Sequence, residues 1–230
     1  MEEENRCLHP QETHLEGDYT KIMNKGFVMI HHGPPKQPKN GAKGGVAIII
    51  SKELDEGLRK AGNKMRQGGI NAGNTTRLLG INVHFKLESN SKRRHAKTKR
   101  ILIISCYHPT SMYNEEQATK FNDKVAQMLN SLAKSHTIIM GLDINVAISN
   151  STTDDNTNWD FTLIGLHGNK FRNKQGDMIQ NIMQLHNLKS TTMFFKNKGK
   201  VDTWIHLATR KRYQLDHILI SSKHFQSVKK

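Results

Sequence analysis

Apolar and polar positions along this chain repeat with two periods, and the elements follow from them. Between Leu78 and Leu87, Leu79, Ile81, Val83 and Phe85 alternate with Gly80, Asn82 and His84, the two-residue period of a half-buried strand. Shorter runs are apolar almost throughout: FVMI at Phe27–Ile30, GVAIIIS at Gly45–Ser51, ILIISCY at Ile101–Tyr107 and TIIM at Thr137–Met140. Bounded by Gly, Pro or charged residues, they read as buried strands. Phe121, Val125, Met128, Leu129 and Leu132 instead recur every three or four positions, one face of a helix starting at Asn114. Glu115 and Glu116 fall in its first turn, where negative charge suits the helix dipole. A second helix is expected over Met178–Leu188, with Met178, Ile182 and Leu185 on one side. Thr191–Phe195 and Thr203–Leu207 look strand-like, and Tyr213–Ser221 reads as a strand with Asp216 and His217 in its middle.

The remainder is polar or rich in turn residues. Residues 1–10 show no strand, 33–45 is a Pro- and Gly-rich loop, and Lys52–Arg66 is a charged segment. Ser89–Arg100 reads as a long hairpin tip, while Ser149–Asn158 and Gly165–Gly176 read as loops. The succession strand–strand–strand–helix–strand–helix–strand–strand indicates an α/β chain, most simply two sheets flanked by helices.

At 230 residues the chain can build one sizeable core or two small ones. No apolar run approaches the roughly 20 residues of a membrane helix, and the acidic start, MEEENR, is not a signal peptide. A membrane role is not expected. Thirty-five Lys and Arg against 20 Asp and Glu give a formal charge of +15, which favours anionic partners, nucleic acid first. Two cysteines exclude a disulfide scaffold and make a reducing compartment the default; Cys106 reads as a small core residue. The basic run Lys92, Arg93, Arg94, Lys97, Lys99 and Arg100 is either a solvated loop or a contact to a phosphate backbone.

Candidate chemistry gathers where strands end. Asp143 and Asn145, two apart after the run TIIM, would leave one strand end side by side. The pair is an Asx turn or an acid–amide pair for catalysis. Asp216 and His217 break an otherwise apolar strand, which suggests either a site at that strand's end or an exposed edge pair. Tyr107 closes an apolar strand, as a core residue or a phosphate contact. Strand ends converging on a divalent cation and a phosphodiester make sense of these fragments together. Glu12 and Asp216 are hard oxygen ligands suited to Mg²⁺, Asp143 can deprotonate a water, and His217 can donate to a phosphate oxygen.

QETH, GGVAI, YHPT, GLDIN, HGN…RN…G, DTW and QLDHILIS follow one another in an order that resembles the endonuclease/exonuclease/phosphatase family. Within it the chain looks most like endonuclease domains of LINE-type retrotransposons and craniofacial-development-protein-like proteins. The resemblance runs from Gln11 to Ser221. It implies a DNase I-like fold, a four-layer sandwich of two mixed β-sheets flanked by helices, and Mg²⁺-dependent phosphodiester hydrolysis, with Mn²⁺ able to substitute. Glu12 and Asp216 then correspond to metal-site acids, and Tyr107 to the phosphate-contacting tyrosine. Asp143 and Asn145 match the water-activating pair, and His217 the phosphate histidine. Thr203-Trp204 resembles a structural Thr-Trp pair before the last hairpin. DNA is the implied partner, with no small-molecule cofactor, in an intracellular, nuclear setting. Oligomeric state is left open.

The domain is expected over residues 11–223, between a disordered stub at 1–10 and a basic tail at 224–230. Members of the family open with a strand–helix unit carrying a metal-site asparagine, roughly 25–30 residues long given that a whole βαβ unit takes about 30 or more. The stub is too short for it, so that unit is expected to be lacking. Leu142 stands where the family has glycine, His108 interrupts the Tyr-x-Pro motif, and Thr191–Phe195 offers only threonines where some members carry an aspartate that orients the histidine. A DNA-nicking endonuclease is the leading reading, with activity expected to be weakened by the shortened start. Alternatives are a non-catalytic nucleic-acid-binding remnant, or an abasic-site endonuclease or phosphatase of the same fold.

Overall fold

The computed structural model describes residues 7–8, 13–35, 44–60, 70–71, 75–86, 98–110, 115–144, 148, 161–165, 167, 174–195 and 202–228. The chain is α/β, as the element order indicates, and divides into two compact units: residues 1–107 with 134–137, and 108–133 with 138–230. The expected stub falls outside the described residues except at Cys7 and Leu8.

In the first unit, β1 (Cys7–Leu8), β2 (Tyr19–Ile22), β3 (Val28–His32) and β4 (Val46–Ile50) form an antiparallel sheet in the order β1-β4-β3-β2. Helix α1 (Lys52–Lys60) follows, then an antiparallel succession of β5 (Ile70–Asn71), β6 (Leu78–Lys86) and β7 (Thr98–Tyr107). The continuous apolar run of β4 has the reason expected of such runs: both its faces are covered. Val46, Ile48 and Ile50 join Val28 and Ile30 against Leu79, Ile81, Val83, Ile103 and Tyr107, so the two sheets pack face to face with Leu58 of α1. Ala47 and Ile49 turn the other way with Met29, beside Tyr19 and Phe27. Truncating a fully buried residue such as Ile48 to alanine would cost about 2–5 kcal/mol.

Several expectations are corrected here. Cys7–Leu8 pairs with Ile49 and Ile50 of β4, although the polar start of the chain led to no strand. The charged stretch after Ser51 is helical over Lys52–Lys60, because Leu54 and Leu58, one turn apart, reach the core. β7 begins at Thr98, so Lys99 and Arg100 lie in a strand opposite Phe85 and His84 and not in a loop tip. Their side chains are exposed, which is why the strand tolerates them.

The second unit holds α2 (Glu115–Leu132), β8 (Thr137–Asp143), α3 (Phe161–Ile164), α4 (Lys174–Leu185), β9 (Leu188–Ser190), α5 (Thr191–Phe194), β10 (Trp204–Ile205), β11 (Arg212–Tyr213) and β12 (Asp216–Ser221). β12 pairs antiparallel with β8 on one side and β9 on the other. Helix α2 buries Phe121, Val125, Met128 and Leu129, as its period predicts. In α4 the buried stripe is Ile179, Ile182 and Met183, one residue round from the predicted side, and Leu185 is left 69% exposed. Leu188, read as the helix end, opens β9. The predicted strand Thr191–Phe195 is instead the short helix α5, whose Met193 is buried. A 3-10 turn over Ser222–Ser227 ends the description, with the Phe225 ring stacked on Phe195 at 5.6 Å. Among the described residues, no helix is long and apolar enough to cross a membrane.

Candidate active site

Asp143 is the last residue of β8 and Asp216 the first of β12, and the two are direct cross-strand partners. The strand expected over Tyr213–Ser221 thus starts only at Asp216, so the acidic residue sits at a strand end. In an antiparallel ladder opposed residues share a face, so both carboxylates leave the same side of the sheet. Asp216 is exposed and Asp143 partly so. The backbone around them is pinned: Asp143 O accepts the N–H of His108 at 2.7 Å, and Leu215 O accepts that of Ile144 at 3.0 Å. Thr203 Oγ1 accepts two more, from Leu215 N at 2.9 Å and Asp216 N at 3.1 Å. The Thr203-Trp204 motif, read as structural, therefore fixes the start of β12.

His217 does not join the carboxylates. Exposure alternates along β12, with Asp216 and Ile218 exposed and His217 and Leu219 buried, so His217 faces the other way, alongside its buried partner Leu142. Its Nδ1 lies 3.2 Å from Thr192 Oγ1, which in turn is 3.0 Å from Ser190 Oγ. The threonine segment thus supplies the partner of this imidazole, with a neutral hydroxyl. Nε2 is buried and has no hydrogen-bond partner among the described residues. Burial pushes the His217 pKa down to about 4, against a smaller opposing effect of the Gln214 backbone. At neutral pH the ring is uncharged.

In the first unit Tyr107 ends β7 and, of the two roles the sequence left open, takes that of a core residue. The guanidinium carbon of Arg77 lies 4.4 Å from its ring centroid, a cation–π contact, and Arg77 O accepts its N–H at 2.8 Å. Glu12 lies outside the described residues, as do Asn145, Lys92, Arg93, Arg94 and Lys97. Thr13, next after Glu12, is held beside the start of β4 through its N–H to Gly45 O at 3.0 Å. Among the described residues no three His, Cys, Asp or Glu side chains cluster as metal ligands. The Asp143–Asp216 pair does offer hard oxygen donors of the kind that Mg²⁺ takes.

One element was only half expected: β10 falls within the strand-like stretch Thr203–Leu207, whereas β11 is separate from the strand read over Tyr213–Ser221. β10 and β11 form a two-stranded hairpin in which Trp204 opposes Tyr213 and Ile205 opposes Arg212. The Trp204 ring lies 5.8 Å from that of Tyr213 and is 44% exposed. Its turn is basic, with Arg210, Lys211 and Arg212 all exposed. Aromatic faces interleaved with cations were the feature that the Lys92–Arg100 run lacked. The signal was available as the alternation W-x-H…R-K-R-Y around a Thr-Arg turn.

Compared with protein-family models and with curated proteins, the sequence matches none. Solved structures are similar in part. The catalytic domain of human Nocturnin, with bound sulfate, is 12% identical at a TM-score of 0.48, covering 94% of this chain and 68% of that one. An endonuclease/exonuclease/phosphatase family protein from Leptotrichia buccalis is 11% identical at a TM-score of 0.41, covering 86% of this chain and 60% of that one.

Proposed function

We propose that this chain is a metal-dependent phosphodiester hydrolase that nicks DNA, of the kind carried by retroelement endonuclease domains. The observation that carries the proposal is the opposed Asp143–Asp216 pair at a strand end. In this reading Asp216 would hold Mg²⁺ or Mn²⁺, the metal-directed role that the QETH motif also implies for Glu12. When bound, the cation stabilises negative charge developing on the phosphate. Asp143 accepts a proton from the attacking water as its oxygen forms the new bond to phosphorus. The sugar oxygen leaves with the electron pair of the broken P–O bond and takes a proton from solvent. Asn145 fixes the water or a phosphate oxygen, and Tyr107 orients the phosphate. His217, neutral and buried, serves as a positioning residue that holds β12 against α5 from behind.

The DNA preference rests on charge. A net +15 raises the local concentration of polyanions, and the hairpin adds Arg210, Lys211 and Arg212 beside the exposed Trp204. Exposed Lys99 and Arg100 supply further positive charge.

A second reading, nucleic-acid binding without cleavage, is favoured by one observation: His217 points away from the carboxylate face. Incubation with supercoiled plasmid separates the two. The hydrolase converts it to nicked circle only with Mg²⁺ or Mn²⁺; salt-sensitive binding without nicking supports the second reading. Neither nicking nor binding rejects both.

A further inference from the structure

Two consecutive histidines of β3 grip the segment that follows Glu12. His31 Nδ1 lies 2.8 Å from Gly17 O, and its Nε2 lies 2.7 Å from Thr13 Oγ1. A carbonyl can only accept, so Nδ1 carries the proton and Nε2 accepts from the Thr13 hydroxyl. The ring is 2% exposed and stacks on Tyr19 with centroids 4.7 Å apart. Glycines make room for it. A Cβ on Gly33 would stand 2.4 Å from His31 Cε1, and one on Gly45 would stand 2.4 Å from Thr13 Oγ1. Gly45 also has φ +93°, a backbone that side chains other than glycine rarely adopt. His32 grips the far end of the segment, with Nδ1 2.7 Å from Asp18 Oδ1 and Nε2 2.8 Å from Thr75 O.

Main-chain bonds continue from this grip to Tyr107. Thr13 N–H donates to Gly45 O, Gly45 N–H to Thr76 O at 3.0 Å, and Tyr107 N–H to Arg77 O. We propose that His31 is a positioning residue: with Thr13 and Gly17 it locks the backbone after Glu12 into register with the strand ends that terminate at Tyr107. The inference deepens the hydrolase reading and rests on it for its purpose, since Glu12 and Tyr107 are its metal- and phosphate-directed residues in this unit. The geometry of the grip stands by itself.

Amide hydrogen exchange of the full chain without metal tests the grip, and the Mg²⁺ requirement of plasmid nicking tests its purpose. Losing one buried hydrogen bond is worth about a factor of ten, so His31→Leu and Thr13→Val should speed exchange at residues 13 and 14 about tenfold. Both should raise the Mg²⁺ concentration for half-maximal nicking at least ~10-fold, the usual effect of removing a partner behind a metal ligand. Thr13→Ser, which keeps the hydroxyl, should behave as wild type. If His31→Leu does not fold, the partly exposed Thr13 carries the comparison. Thr13→Val exchanging like wild type overturns the grip. Faster exchange with an unchanged Mg²⁺ requirement overturns its positioning role, leaving only a structural one. A wild-type protein that nicks nothing at any Mg²⁺ overturns the hydrolase reading, while the exchange data still decide the grip.

Discussion

Asp143 and Asp216 stand directly opposite each other, the last residue of β8 against the first of β12. Opposed like charges weaken a ladder by about 0.2–1 kcal/mol. Neutralising Asp216 should therefore raise stability slightly while weakening function. Asp216→Asn should raise the metal-free unfolding free energy by an amount in that range, read as a higher urea midpoint, and reduce nicking about 10–100-fold, as for a missing metal-shell group. Asp143→Asn should reduce nicking by about 10²–10⁴, the worth of a general base. Paired denaturation and plasmid assays read both effects, and a variant that loses stability along with activity would argue for a structural role instead.

His217 makes stability depend on pH. Its folded pKa of about 4 lies below the ordinary 6.5, so between those values the unfolded chain binds the additional proton. Stability from this residue is fully present above about pH 6.5 and is lost progressively as pH falls to about 4, by on the order of 3 kcal/mol. Urea midpoints at pH 7, 6, 5 and 4 should fall steeply for the wild type. His217→Gln should show a shallower decline, the remainder coming from His31 and His186, whose pKa values burial also lowers. Parallel curves for the two proteins would contradict the neutral, buried imidazole.

Much of this arrangement was legible in the sequence, for reasons that particular residues make plain. β6 announced itself because one of its faces carries Asn82 and His84, so the two-residue period survived in the letters. α2 kept its three-four period because its outer face meets water. The opposition of Asp143 to Asp216 was not legible, because it depends on a register between strands more than seventy positions apart, which no local pattern encodes. Thr191–Phe195 misled for a related reason. Its β-branched and aromatic residues favour strands, yet packing of Met193 holds them in a helical turn that sets Thr192 against His217. The His31 grip was hidden because it joins a strand to a loop through side chains, and its sequence trace was only the unexplained glycines at 33 and 45.

Thr203 should matter more than an exposed threonine ordinarily does. Its hydroxyl accepts two main-chain N–H groups at the start of β12. Thr203→Val should cost about 1 kcal/mol and speed amide exchange at Asp216, whereas Thr203→Ser should preserve both. Equal behaviour of the two variants would show that water replaces the hydroxyl at no cost.

The hairpin turn should reveal itself through salt. Replacing Arg210, Lys211 and Arg212 together with glutamine should leave thermal stability nearly unchanged, since all are exposed. The slope of log K for DNA against log salt should become shallower by up to ~0.9 for each phosphate that the variant no longer neutralises. An unchanged slope would move the DNA-binding surface elsewhere, with the strip at Lys99 and Arg100 as the next to alter.

The claim at the centre is that the opposed carboxylates help to hold a divalent cation. Titration of Mn²⁺ into the wild-type chain and into Asp216→Asn, followed by the electron paramagnetic resonance of free Mn²⁺, tests it without reference to any substrate. The wild type should bind saturably, and the variant about 10–100-fold more weakly. No binding by the wild type, or equal binding by both proteins, would contradict it.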